Sequence, residues 1–272
     1  MLIRKQQDVE WLQFSNLSEC ADLIHGFTTR NGGVSHPPFS SLNMGRFTED
    51  RSSDVQENYM RILSALEIET RPRYMTKQVH SDLVHHVDVV ECTESMETFI
   101  SSQDGLVTKR SDVALITYYA DCVPIFLYDP VNHVGGVIHS GWKGTSKQIG
   151  KRAVERLSEL FGSDPKNIIA GIGPCASGCC YEIDSSVVNA FSWMGNEIHN
   201  FLKPTTPEHY LIDLKGINQY ILEDAGVKIT NIEVSEYCTM CNNDLLFSYR
   251  IEKPQTGRMA AIFALKAKKI IE

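Results

Sequence analysis

Between Tyr74 and His139 one short apolar run follows another, with no helical spacing between them. The segments 74–80, 83–90, 105–108, 113–119, 124–128 and 134–139 all read as strands. A doubly wound parallel sheet needs a helix after nearly every strand. Successive strand-to-strand steps argue against that fold. They predict a mixed α/β chain, residues 1–272 as a single domain, with central mixed β-sheets flanked by helices. Helical periodicity appears elsewhere. Ser53 to Leu66 places Val55, Tyr59, Ile62 and Leu63 on one side, with Ser53 as the expected N-cap. Ser146 to Phe161 carries the stripe Ile149, Ala153, Leu157 and Leu160. Thr145 and Gln148 form a capping-box pattern before it, and Gly162 is a stop after it. Further helices are expected over 185–191 and 214–225, and strands over 21–29, 167–172, 229–235 and 259–265. Gly32-Gly33 and Pro37-Pro38 make 30–41 a loop.

Composition narrows the class of function. With 272 residues and 42% hydrophobic side chains, the chain can bury a sizeable core. A net charge of −8 disfavours nucleic acid, whose phosphates call for clustered Lys and Arg. The longest apolar stretch, Val113 to Tyr128, is broken by Asp121 and is too short to span a membrane. The first residues carry no apolar segment of signal-peptide type, so a cytoplasmic location is expected. In that compartment the eight cysteines are expected as thiols or metal ligands rather than disulfides.

Three potential ligands stand at the ends of strand-like runs: His80 after KQV, Cys122 after YYAD, and His139 after GGVI. Imidazole nitrogen and thiolate sulfur both suit zinc, and three protein ligands with one open position describe a catalytic rather than a structural site. The spacing matches no local motif. Alternatively, Cys122 is a nucleophile with His80 or His139 as its base. The loop HSGWKGT runs from a strand into a helix, with glycines that allow close backbone approach and Lys143 adding positive charge. A second group, Cys238-Thr-Met-Cys241 with Cys175, Cys179 and Cys180 upstream, competes as a structural zinc site. HExxH is absent, and so is the HxE and PCxxC pair of cytidine deaminases.

A series of motifs, in order, resembles a known family: FTTRNGGVS (27–35), SSLNMG (40–45), KQVHS (77–81), ADCVPI (120–125), HSGWKGT (139–145), GIGPC (171–175), CCYEI (179–183), EYCTMCNNDLLFSYR (236–250) and TGRMA (256–260). They are similar to the laccase-domain, or YfiH/YlmD-type, family of purine nucleoside phosphorylases, over residues 20–265. The resemblance implies zinc, with copper possible, on His80, Cys122 and His139. It implies phosphorolysis of adenosine, inosine and methylthioadenosine, and deamination of adenosine. Small-molecule nucleosides and phosphate are then the partners; the oligomeric state stays open. The alternatives it carries are a copper-dependent polyphenol oxidase and a non-catalytic zinc-binding protein of envelope or division processes. Where the family often has Tyr-Arg-Arg, this chain has Tyr249-Arg250-Ile251. For such a reaction, Arg30, Asn43, Lys143, Arg250 and Arg258 are the expected substrate and phosphate contacts. Glu182 is the expected acid/base beside the metal ligands. Phe39 or Tyr118 is placed to stack on a purine. Asp121 should point away from Cys122 if both lie on one strand.

Overall fold

The computed structural model describes residues 1–89 and 96–267. The first half of the chain runs β1 (Leu2–Gln6), β2 (Val9–Gln13), α1 (Ser15–Ser18), β3 (Leu23–Thr28), α2 (Ser52–Ala65), β4 (Arg73–Lys77), β5 (Val84–His86), β6 (Glu97–Ser101), β7 (Gly105–Thr108), β8 (Ala114–Tyr119), β9 (Val123–Asp129) and β10 (Val134–Ser140). The second half runs α3 (Trp142–Ser146), α4 (Ile149–Phe161), β11 (Ile169–Ile172), β12 (Glu182–Asp184), α5 (Ser185–Asn189), β13 (Leu202–Thr206), β14 (His209–Ile212), α6 (Leu214–Asp224), β15 (Ile232–Val234), α7 (Tyr249–Glu252) and β16 (Met259–Leu265).

Two mixed sheets pack face to face. One has the order β1-β2-β3-β16-β8-β4-β6, the other β15-β11-β9-β10-β7-β5, and a small third sheet, β12-β14-β13, stands apart from them. The fold is mixed α/β with central sheets and outer helices, as the strand-to-strand steps implied. The alternation of side chains explains why the central strands are apolar throughout. On β16, Met259, Ala261 and Phe263 face the space between the sheets, while Ala260, Ile262 and Ala264 meet α2 through Val55, Tyr59 and Ile62. On β9, Phe126 and Tyr128 face the first sheet, and Val123, Ile125 and Leu127 face α4 and α6. A strand covered on both faces has no polar side, so it reads as a continuous run. Among the described residues no helix is long and apolar enough to cross a membrane.

One link between the sheets is short. β8 belongs to the first sheet and β9 to the second, and only Ala120, Asp121 and Cys122 join them. Asp121 adopts φ +87° to make this turn. Asp121 and Cys122 therefore do not sit on one strand, and the two-face argument does not govern them.

Several expectations are corrected. Arg51, not Ser53, is the N-cap of α2; the Ser53 hydroxyl instead donates to Asp54. The helix expected from Ser146 starts instead at Ile149; a separate short helix, α3, ends at Ser146, and Gln148 turns to φ +62° between them. Thr145 does not cap, because its hydroxyl donates to the Gly141 carbonyl inside the first helix and packs with Ser140. The strand expected over 74–80 ends at Lys77, and that over 83–90 shrinks to β5, with Val90 outside the described residues.

The face between the sheets depends on large aromatic side chains. Phe126 is fully buried and meets Phe14 edge-on at 5.5 Å. Phe126→Ala is expected to cost about 3–5 kcal/mol of stability, from lost burial plus the cavity left behind. Urea unfolding should show this as a lower midpoint at unchanged slope; an unchanged midpoint would mean that the two sheets are not held together here.

Candidate metal centre

The three predicted ligands come together. One ligand atom from each of His80, Cys122 and His139 lies within 4.8 Å of the others. The Cys122 sulfur is 3.7 Å from His80 Nε2, and the two imidazoles meet edge-on with centroids 4.9 Å apart. Each ligand comes from a different part of the fold. His139 is the last but one residue of β10, on the face between the sheets, where Tyr119 packs against its ring at 5.4 Å. Cys122 ends the turn that crosses between sheets. His80 lies three residues past β4, at φ +60°.

A left-handed histidine is unfavourable unless neighbours hold it. Asp104, fully buried ahead of β7, does so. Its carboxylate accepts the backbone N–H groups of Val79 (3.2 Å), His80 (3.0 Å) and Ser81 (2.7 Å), and the Ser81 hydroxyl (2.7 Å). The same carboxylate lies 2.8 Å from His139 Nδ1, and the Asp104 carbonyl accepts the His139 N–H at 2.6 Å. One buried anion thus fixes the backbone of one ligand and the ring of another. A carboxylate behind a histidine is the usual way to orient such a ligand and raise its basicity. Gln78 adds a second clamp: its side-chain amide exchanges two hydrogen bonds of 2.8 Å with the backbone of Tyr118.

The electrostatics fit a metal-binding donor set. Burial alone would raise the Cys122 thiol, but the charge and hydrogen bond of His139, helped by His80, bring it down to about 6. Burial alone would lower His139, but the Cys122 thiolate and Asp104 lift it to about 9. Burial also works against the Asp104 anion, yet His139 and Ser81 hold it well below the usual carboxylate range. A cation held there would take the place of the proton between Cys122 and His139. Two imidazoles and a thiolate suit zinc or copper.

The triad forms one wall of a cavity of about 510 Å³. Arg250 and Arg258, both predicted, line it. Among the described residues neither pairs with a carboxylate; Arg250 lies over the Tyr181 ring and Arg258 over that of Tyr249. Tyr118 lines the cavity too, with its hydroxyl 2.6 Å from that of Tyr59. Asp121 also faces the cavity, but its carboxylate is occupied by the hydroxyls of Thr239 and Ser248 and by the Arg250 N–H. It shapes the wall.

Other predicted residues fall elsewhere. Arg30 is tied to Glu252 at 3.0 Å and to the carbonyls of Ser40 and Asn243, away from the cavity lining. Asn43 is fully buried and braces the 43–50 loop: its amide donates to Thr48 and Asp50, and its carbonyl accepts from Gly45 and Arg258. Lys143 is exposed with its ammonium over Trp142, and Phe39 is a core residue. Glu182 is exposed on β12 and accepts from Thr205, so the structure does not bring it to the triad. Asp104, Gln78 and Tyr181 were not anticipated. Gln78 and Tyr181 left a trace, inside the KQVHS and CCYEI motifs; Asp104 left none.

An α/β sandwich with a His–Cys–His group able to hold a metal ion is thus the class that fold and site define. The chain belongs to the family described as multi-copper polyphenol oxidoreductase laccase, whose model matches residues 24–266. It is 37% identical over 260 residues to purine nucleoside phosphorylase YlmD of Bacillus subtilis (strain 168), covering 94% of this chain and 93% of that one. It is 34% identical to a purine nucleoside phosphorylase of Staphylococcus epidermidis (strain ATCC 12228 / FDA PCI 1200), covering 91% and 94%. The crystal structure of Bacillus licheniformis hypothetical protein YfiH superposes with a TM-score of 0.87 at 32% identity, covering 97% of this chain and 99% of that one. YlmD from Geobacillus stearothermophilus superposes at 0.85 and 31%, covering 97% and 98%.

Gly141 shows how tightly the ligands are packed. A Cβ there would fall 2.5 Å from the His80 ring and 3.0 Å from the Cys122 sulfur. The backbone at Gly141 suits any residue (φ −72°, ψ 172°), so the nearest conflicts are with two of the three candidate ligands. Gly141→Ala is expected to weaken metal binding by at least about 10-fold. Competitive zinc titration checks this; wild-type affinity would show that the triad does not hold the metal.

Proposed function

We propose that this chain is a metal-dependent purine nucleoside phosphorylase. It cleaves adenosine, inosine and methylthioadenosine with phosphate, giving the free base and the 1-phosphorylated sugar, and deaminates adenosine as a second activity. The observation that carries this reading is one cavity holding a His–Cys–His triad, aromatic walls and, among the described residues, two arginines without carboxylate partners. Phosphate is matched by guanidinium forks, so Arg250 and Arg258 are its expected contacts. Tyr118, Tyr181, Tyr249 and Phe47 line the same cavity and offer faces for a purine. Thr76 Oγ1 and Arg46 Nε, buried in the lining, have no partner among the described residues and are donors for substrate oxygens. His80, Cys122 and His139 would hold zinc, which supplies Lewis-acid polarisation of an oxygen ligand when bound. Asp104 keeps His139 oriented, and Arg250 is fixed through its own N–H to Asp121. Glu182 has no part in this mechanism.

The names of the relatives support the phosphorylase reading. The family's description supports a second one, copper-dependent phenol oxidation at the same triad, since two imidazoles and a thiolate also suit copper. One assay separates them. Wild type, Cys122→Ala and Arg250→Ala are incubated with adenosine, inosine or methylthioadenosine, with and without phosphate, at known metal content. Phosphate-dependent release of base is expected in the wild type, with loss of activity in Cys122→Ala. For Arg250→Ala, we expect kcat/KM for phosphate to fall by about 10–100-fold, the worth of one charged hydrogen bond. Phenol oxidation without nucleoside turnover would favour the copper reading. Full metal loading with neither activity would leave a metal-binding protein of envelope or division processes.

A further inference from the structure

A second thiol cluster lies outside this cavity lining. The sulfurs of Cys179, Cys180, Cys238 and Cys241 all lie within 4.8 Å of one another. Cys241 Sγ is 3.2 Å from Cys180 Sγ and 3.7 Å from Cys179 Sγ. Tetrahedral zinc with bonds near 2.3 Å spaces its sulfurs by about 3.8 Å. A disulfide draws only two sulfurs together, to about 2.05 Å, and gives no reason for four to converge. Cys175, grouped with them on sequence grounds, is not a member: it is buried, and its thiol donates to the Ala176 carbonyl.

The backbone around the cluster is organised for this role. Cys175 and Cys238 form a parallel β-bridge, and the Thr239 N–H donates to the Cys175 carbonyl at 2.9 Å. The Ser177 N–H points at the Cys238 sulfur at 3.5 Å, the contact that stabilises a thiolate. A two-residue spacing, Cys238 to Cys241, lets one turn supply two ligands, and adjacent Cys179 and Cys180 supply the others.

We infer that Cys179, Cys180, Cys238 and Cys241 form a second, closed metal site that binds zinc through four thiolates. Each thiol gives up its proton to solvent as the metal binds, and no electron is exchanged. The ion clips the 175–181 loop to the 238–241 turn. The two pieces also carry the cavity wall: Tyr181 follows Cys180, and the Thr239 hydroxyl donates to Asp121 at 2.6 Å. The second metal therefore braces one side of the cavity without touching what binds there.

The test is metal content. Full-length protein is purified under reducing, chelator-free conditions and its zinc measured per chain. Cys241→Ser and Cys179→Ser, both at exposed positions, are expected to carry about one zinc fewer than wild type, the count for one closed site. Cys122→Ala should retain that ion, and after cobalt exchange it should show strong thiolate-to-metal charge-transfer absorption that Cys241→Ser removes. Wild-type zinc content in both serine variants, or a Cys180–Cys241 disulfide recovered from the wild type, would overturn the assignment. Neither result depends on nucleoside turnover, so the site stands or falls apart from the proposed reaction.

Discussion

The Asp104 carboxylate is the interaction on which the site depends. It is one negative charge, fully buried, with five donors around it. A buried carboxylate is costly unless hydrogen bonds and nearby positive charge repay its lost hydration. Here the repayment comes from three backbone N–H groups, one hydroxyl and the His139 ring. Those donors belong to segments far apart in the chain, 79–81 and 139. The cost of burial therefore becomes a constraint: the anion is satisfied only when both ligand segments are in place. His80 stays in its left-handed conformation because releasing it would strand that charge.

The paired sheets explain why this arrangement is rigid. β8, β9 and β10 are buried on both faces, so their ends cannot shift without opening the core. Cys122 sits in the short crossing from one sheet to the other, and His139 near the end of β10 facing the gap between them. Close packing leaves no room to adjust, as the contacts awaiting a Cβ at Gly141 show. Beside the triad, loops replace strands. There Asp121, Thr239 and Ser248 form a buried network that holds the Arg250 backbone, and the cysteine cluster brings residues 179–180 and 238–241 together next to it.

How far this was legible in the sequence follows from burial. β7, β8, β9, β10 and β16 are apolar on both sides, and each reads clearly as a strand. β1 and most of β13 are exposed and carry no pattern to read. The His80–Cys122–His139 triad was visible mainly through the motif resemblance, since spacings of tens of residues say nothing about proximity. Arg250 and Arg258 reach the cavity, but Arg30 looks identical in sequence and is consumed by Glu252 and two carbonyls. Glu182 failed as an acid/base because β12 turns it outward while its neighbour Tyr181 turns in. Asp104 was invisible because all its work is with residues distant in sequence.

Asp104→Asn tests the account most directly. The amide keeps the size of the carboxylate, removes its charge, and turns one acceptor into a donor facing backbone N–H groups. Zinc affinity of the wild type and the variant, measured by competitive titration of metal-free protein, should differ by about 10–100-fold, the usual effect of losing such a supporting contact. Equal affinities would contradict the claim that this one buried charge assembles the metal centre.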